Sequence, residues 1–167
     1  LFTEVRNIHP DSRFGASSFV DKPLQPFGDP GGDYVYATHA KITGETDVIK
    51  EAFENIEILS GNDGPESQLE ALYQIALRTI EDDKTPTTLE DEIGYREGSM
   101  RIVVLTTDAG YHQAGEVYNW YGTLPPPNNG DTVLDGDPPG TGEDYPSVEQ
   151  VKLALEQANI YPIFAAA

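Results

Sequence analysis

Asp21, Asn62, Asp63, Glu66 and Asp108 are the side chains whose types and placing could do chemistry, and that chemistry is the holding of a hard divalent cation. The densest piece is the run Ser60-Gly61-Asn62-Asp63-Gly64-Pro65-Glu66, with an amide, two carboxylates and two glycines in one turn. Proline is favoured at the first helical position, where its missing N–H would be unpaired anyway, so Pro65 is predicted to open a helix. Glu66 then stands at the positive end of the helix dipole, facing outward. Taken alone, the same run is an ordinary Asn/Asp/Gly turn capping a helix. Its company changes that. Asp21 follows a predicted strand, Arg13 to Val20, and Asp108 follows another, Arg101 to Leu105. In an open parallel sheet, sites form outside the carboxyl ends of the strands, so carboxylates from these segments can converge. Two such charges about 4–5 Å apart repel by about 3–4 kcal/mol at an effective dielectric near 20. Convergence therefore needs a cation between them or raised pKa values. All-oxygen ligation selects Mg²⁺, Ca²⁺ or Mn²⁺ over zinc or copper.

Catalytic chemistry has less support. Paired carboxylates can serve as acid and base in a glycosidase. There is no Gly-x-Ser-x-Gly elbow, no His-Glu-x-x-His, no Gly-x-Gly-x-x-Gly and no phosphate loop. His112 lies four residues beyond Asp108 and could act as a base, but nothing pairs with it in sequence. His9, His39 and His112 lie far apart without ligand spacing and read as surface or packing residues. The absence of cysteine removes disulfides, thiolate zinc sites and cysteine nucleophiles together. A binding module is favoured over an enzyme, with a carboxylate-based hydrolase as the enzyme alternative.

The net charge of −19, from 29 acidic and 10 basic residues, excludes nucleic acid as a partner, because phosphate binding needs clustered Lys and Arg. Anionic membranes are disfavoured likewise. Such acidity suits bound divalent cations or a salty medium; it also serves plain solubility. The 167 residues suffice for one domain, and the 38% hydrophobic content is that of a globular chain. No apolar stretch reaches membrane-spanning length, and no signal peptide stands at the start.

The elements that must position these residues follow from periodicity. Leu1 to Ile8 reads as the tail of a helix, so the chain begins inside an element and a preceding piece is expected. Tyr34 to Ala40 reads as a second strand. Glu45 to Ile58 carries Ile49, Ala52, Phe53 and Ile56 at helical spacing, and Leu69, Leu72, Tyr73, Ala76, Leu77 and Ile80 form a second, core-packing stripe. Glu81 to Gly98 is polar and reads as an exposed connection. Ile102-Val103-Val104-Leu105 fits a strand buried on both faces. Ala109 to Tyr145 is a long irregular stretch, with solvated charge rather than another Ca²⁺ site expected in Asp131 to Asp144. Ser147 and Gln150 have capping-box spacing before a helix marked by Val148, Val151, Leu155 and Ala158. A last strand spans Ile160 to Ala166. The alternation implies an α/β fold, a doubly wound, mostly parallel sheet with helices on both faces.

With these segments in place, the chain resembles the I-like (βI) domain of integrin β subunits, in the von Willebrand factor A superfamily. Phe19-Val20-Asp21-Lys22-Pro23 is similar to the family's strand end Phe-Val-(Asp/Glu)-Lys-(Pro/Thr). Ser60 to Glu66 is similar to its Ser-Gly-Asn-x-Asp-x-Pro-Glu loop, and Thr106 to His112 to (Ser/Thr)-Thr-Asp-Ala-Gly-Phe-His. Ile93 to Arg96, Leu124 to Gly130, Asp144 to Ser147 and Asn159 to Ala165 fall in family order. The resemblance implies a Rossmann-like fold and a cation-dependent adhesion function without covalent chemistry. Glu66 would ligate a central Mg²⁺ (or Mn²⁺) and touch a neighbouring Ca²⁺. Asp108 would support the central ion, directly or through water. Asp21, Asn62, Asp63 and the carbonyl of Pro65 would hold the Ca²⁺. The loop is one residue shorter than the family's, so Asp63 or Gly64 takes the aligned place.

Two departures accompany the resemblance. The family's Asp-x-Ser-x-Ser motif, its strand, and its last strand and helix are not within residues 1–167, so a single, incomplete domain is expected. The loop between Pro26 and Tyr34 is short and lacks cysteine, which points away from obligate pairing with an α subunit and toward a simple or prokaryotic relative. The implied partners are an extracellular protein ligand with an acidic residue and a β-propeller domain, without membrane insertion, at the cell surface or outside the cell. A structural calcium-binding domain without adhesive ligand is the alternative.

Overall fold

A computed structural model describes residues 1–23, 25, 27–84, 92–114 and 145–166. Pro26, Leu124 to Gly130, Asp131 to Asp144 and part of the 81–98 connection lie outside the described residues. Helix α1 (Phe2–Ile8) leads into strand β1 (Phe14–Ser18), which pairs antiparallel with β2 (Ala37–Thr43). Helix α2 (Thr46–Asn55) packs on this pair, with Ile49 sealed against Ala16 and Ala40 and with Phe2 and Phe14 alongside. Strand β2 begins three residues later than the aromatic run Tyr34 to Ala40 predicts. Ser18 ends β1 opposite Ala37, and the carbonyl of Tyr34 instead accepts the N–H of Val20, beyond the ladder.

The second half of the molecule is built on parallel pairs. Strand β4 (Arg101–Thr107) runs beside β6 (Ile160–Ala166) in register from Arg101↔Ile160 to Thr107↔Ala166. Helix α3 (Gln68–Lys84) and helix α4 (Val148–Gln157) pack together against one face of this pair. The predicted stripe supplies Leu69, Leu72, Tyr73 and Ala76 to the core, where they meet Leu105, Val151, Ala154, Leu155 and Ile160. Glu70, Gln74 and Thr79 of α3 are buried too, so this helix is enclosed on more sides than a single stripe requires. The capping box at Ser147 is present, each side chain bonding the other residue's backbone N–H.

Two expectations are corrected. Strand β4 is not buried on both faces among the described residues, since Ile102 and Val104 are 44% and 53% exposed while Leu105 points into the core. Pro65 does not open a helix. Pro65–Glu66 is a two-residue strand, β3, parallel to β5 (Gly110–Tyr111), and α3 starts at Gln68. The reason is that neighbouring backbone claims these groups first. The Ser67 N–H donates to Val20 and the Glu66 carbonyl accepts from His112, which holds the chain extended through Glu66.

Candidate metal centre

The short strand brings three segments to one edge. The Ser67-to-Val20 bond ties β3 to the stretch after β1, which carries Asp21, and the β3–β5 pairing ties it to the turn after β4, which carries Asp108. The loop from Phe27 to Asp33 closes on the same place, with the Phe27 carbonyl accepting the N–H of Asn62. Gly28 is required there, because a Cβ would stand 2.3 Å from the Lys22 carbonyl oxygen. Gly61 has φ +59°, and a Cβ on it would meet the Glu66 carboxylate at 3.2 Å. The loop glycines thus let the backbone fold over Glu66.

Asp21 is wholly buried. Its Oδ1 accepts the Lys22 N–H at 2.7 Å, the Ser67 hydroxyl at 2.8 Å and the Tyr145 hydroxyl at 2.5 Å. Three donors on one oxygen hold the carboxylate in one orientation. Among the described residues its Oδ2 has no hydrogen-bond partner, and it lies 3.5 Å from His112 Nε2, which is 3.2 Å from Asp63 Oδ1. Asp21, Asp63 and His112 offer ligand atoms all within 4.8 Å of one another. Aromatic rings wall this compartment. His112 stacks on Tyr145 with centroids 4.5 Å apart and 22° between planes, Phe27 meets both edge-on, and Lys22 places its ammonium 4.1 Å from the Tyr145 centroid. Burial, then the charges of Asp21 and Asp63, push the Tyr145 hydroxyl well above its ordinary range, so it remains a donor.

Glu66 stands between this compartment and a second space. A pocket of about 170 Å³ is lined by Phe19, Val20, Leu59, Glu66, Thr106, Thr107, Asp108 and Ala109. Burial first, then repulsion from Asp21, Asp63 and Asp33, raises the Glu66 carboxyl to about 7, against a smaller lowering by His112. Among the described residues, Asp21 Oδ2, Asp63 Oδ2 and Glu66 Oε2 are buried oxygens without a hydrogen-bond partner. Unpaired buried acceptors beside like charges are costly, and a cation is the group that satisfies them. The donor set therefore fits a divalent ion.

The predicted residues separate into two groups and an outlier. Asp21 and Asp63 meet with His112, whereas Glu66 and Asp108 share the pocket, with Asp108 exposed on its wall. Pro65 lies in β3 next to Glu66. Asn62 is exposed and contributes its backbone N–H to Phe27. Ser67, Tyr145 and the partnered His112 are additions. His112 is neither a surface group nor unpaired: two carboxylates face it. The one available signal was its offset from the end of β4. Removing the Tyr145 hydroxyl with Tyr145→Phe is expected to weaken divalent-cation binding by roughly tenfold, the size of loss expected when a candidate ligand loses an outer hydrogen bond, and calorimetric titration checks it.

Carboxylates from the stretch after β1, the loop before β3 and the turn after β4 are gathered at one edge of an α/β domain. The chain belongs to the integrin beta chain VWA domain family, whose model matches residues 1–167. It is 29% identical over 183 residues to integrin beta-PS of Drosophila melanogaster, and 28% identical over 181 residues to integrin beta pat-3 of Caenorhabditis elegans. It is 29% identical over 182 residues to integrin beta-1 of Gallus gallus. Each alignment covers 99% of this chain and only 20–21% of the relative, so the chain spans about a fifth of the proteins it matches. The family's domains are cell-surface adhesion modules rather than enzymes.

Proposed function

We propose that this domain captures an extracellular protein ligand through an acidic side chain, using Mg²⁺ (or Mn²⁺) at Glu66 and Asp108 and Ca²⁺ beside it at Asp21 and Asp63. The observation that carries the reading is the set of buried, unpartnered oxygens on Asp21, Asp63 and Glu66. A bound Mg²⁺ supplies an open coordination position for a carboxylate. The residues do the rest. Tyr145, Ser67 and Lys22 fix Asp21 as an acceptor, and Phe27, His112 and Tyr145 exclude water behind it. Glu66 is the carboxylate both compartments share, and Asp108 stays exposed where an incoming group can reach it. Pro65 and Asn62 are further Ca²⁺ contacts, through the carbonyl and the amide. A β-propeller domain is the proposed structural partner. The second reading, a structural Ca²⁺ domain without ligand, draws on the deep burial of Asp21.

Capture of immobilised Asp-bearing peptides by the intact protein separates the two. Adhesion predicts capture that EDTA abolishes and Mg²⁺ or Mn²⁺ restores. Ca²⁺-dependent thermal stabilisation with no capture in any cation would support the structural reading, and capture indifferent to EDTA would sink both.

A further inference from the structure

We propose that Gln68 is a positioning residue that sets the location of Asp108 relative to Glu66; the inference rests on these two carboxylates being cation ligands. Gln68 is the first residue of α3, two positions after Glu66, and is only 3% exposed. Its amide nitrogen lies 2.9 Å from Thr107 Oγ1, 3.2 Å from the Ala109 carbonyl oxygen and 2.8 Å from the Gly110 carbonyl oxygen. These acceptors flank Asp108 on both sides. Thr107 Oγ1 also accepts the Ala109 N–H, so the turn is closed upon itself and then fastened to the helix.

Two features distinguish this clamp from general packing. Among the described residues, Gln68 Oε1 is buried and has no hydrogen-bond partner. A half-satisfied buried amide is a poor stability device, since its orphan acceptor offsets what its donors contribute. What it delivers is position. Asp108 itself has no side-chain hydrogen bond among the described residues, so its place is set by its backbone. That backbone is held by the two-residue β3–β5 pairing and by Gln68. Cation ligands need their relative geometry held to within about 0.5 Å. Glu66 is fixed to Gln68 through the chain, and Asp108 through this amide.

The test is Mn²⁺ binding to the intact protein, followed by electron paramagnetic resonance, with Ca²⁺ titrated separately by calorimetry. Gln68→Met keeps the length and apolar stem but removes both donors. It is expected to lower the affinity of the Mn²⁺ site that depends on Asp108 by about tenfold or more, while leaving Ca²⁺ at Asp21 nearly unchanged. Thr107→Val, at a half-buried position, removes one acceptor and should shift the same site in the same direction by less, which keeps the test open if Gln68→Met folds poorly. A general structural role would weaken both ions together and overturn the inference. Wild-type Mn²⁺ affinity in both variants, while Asp108→Ala weakens binding, would overturn the clamp alone. Mn²⁺ binding indifferent to Asp108→Ala would overturn the cation reading and this inference with it.

Discussion

Replacing Glu66 with alanine is expected to lower divalent-cation affinity on both sides of the side chain, by on the order of a hundredfold, since even outer-shell partners of metal ligands cost about 10–100-fold. The reason is its place between the Asp21–Asp63 compartment and the pocket shared with Asp108. Asp108→Ala should affect only the ion on its own side. The same Glu66→Ala change should have the opposite effect on the ion-free fold. At pH 8, Glu66 is a carboxylate crowded by Asp21, Asp63 and Asp33, so deleting it relieves repulsion and raises the melting temperature in EDTA at that pH. Calorimetric titration together with melts in EDTA and in Ca²⁺ checks both halves. Equal, negligible changes in ion affinity would remove Glu66 from the site.

The second large effect concerns pH. The Glu66 carboxyl is raised from 4.5 to about 7 by burial and by its acidic neighbours, in the chain without ions. The sign follows from linkage. A carboxyl whose folded pKa lies above its unfolded value contributes stability that is fully present below pH 4.5, and that stability is lost as pH rises through about 7. In EDTA, this group alone should make the domain less stable at pH 8 than at pH 5. With a cation the order reverses, because the ion must displace the proton. Below about pH 7, affinity should fall roughly tenfold per pH unit, with about one proton released per ion bound. Titrations at pH 6 and pH 8, in buffers of different ionisation enthalpy, measure both. A pH-independent affinity with no proton release would show that Glu66 is already ionised.

How much was legible in the sequence depends on the range over which each signal acts. The helical stripe from Leu69 to Ile80, the Ser147–Gln150 capping box and the strand Ile160–Ala166 are local patterns, and the molecule reproduces them. Asp21 and Asp63 could be anticipated because each sits at a strand end or in a turn rich in polar residues, and they do meet. Pro65 misled because its preference for a helix start is worth less than two inter-segment backbone bonds. Those bonds join residues far apart in the chain, and no propensity reports them. His112 and Tyr145 escaped for the same reason. Nothing in the spacing of a tyrosine says that its hydroxyl ends on a carboxylate at the far end of the sequence.

The three donors that fix Asp21 come from one, 46 and 124 residues away. Contacts of such separation form only after the intervening chain has been ordered, because closing long loops costs entropy before any bond offsets it. The compartment is therefore a late product of folding. A growing polypeptide on the ribosome holds Asp21 and Asp63 long before it holds Tyr145, and until then Asp21 lacks the donor farthest from it in the chain. A cation affinity that needs this geometry would therefore report completed folding.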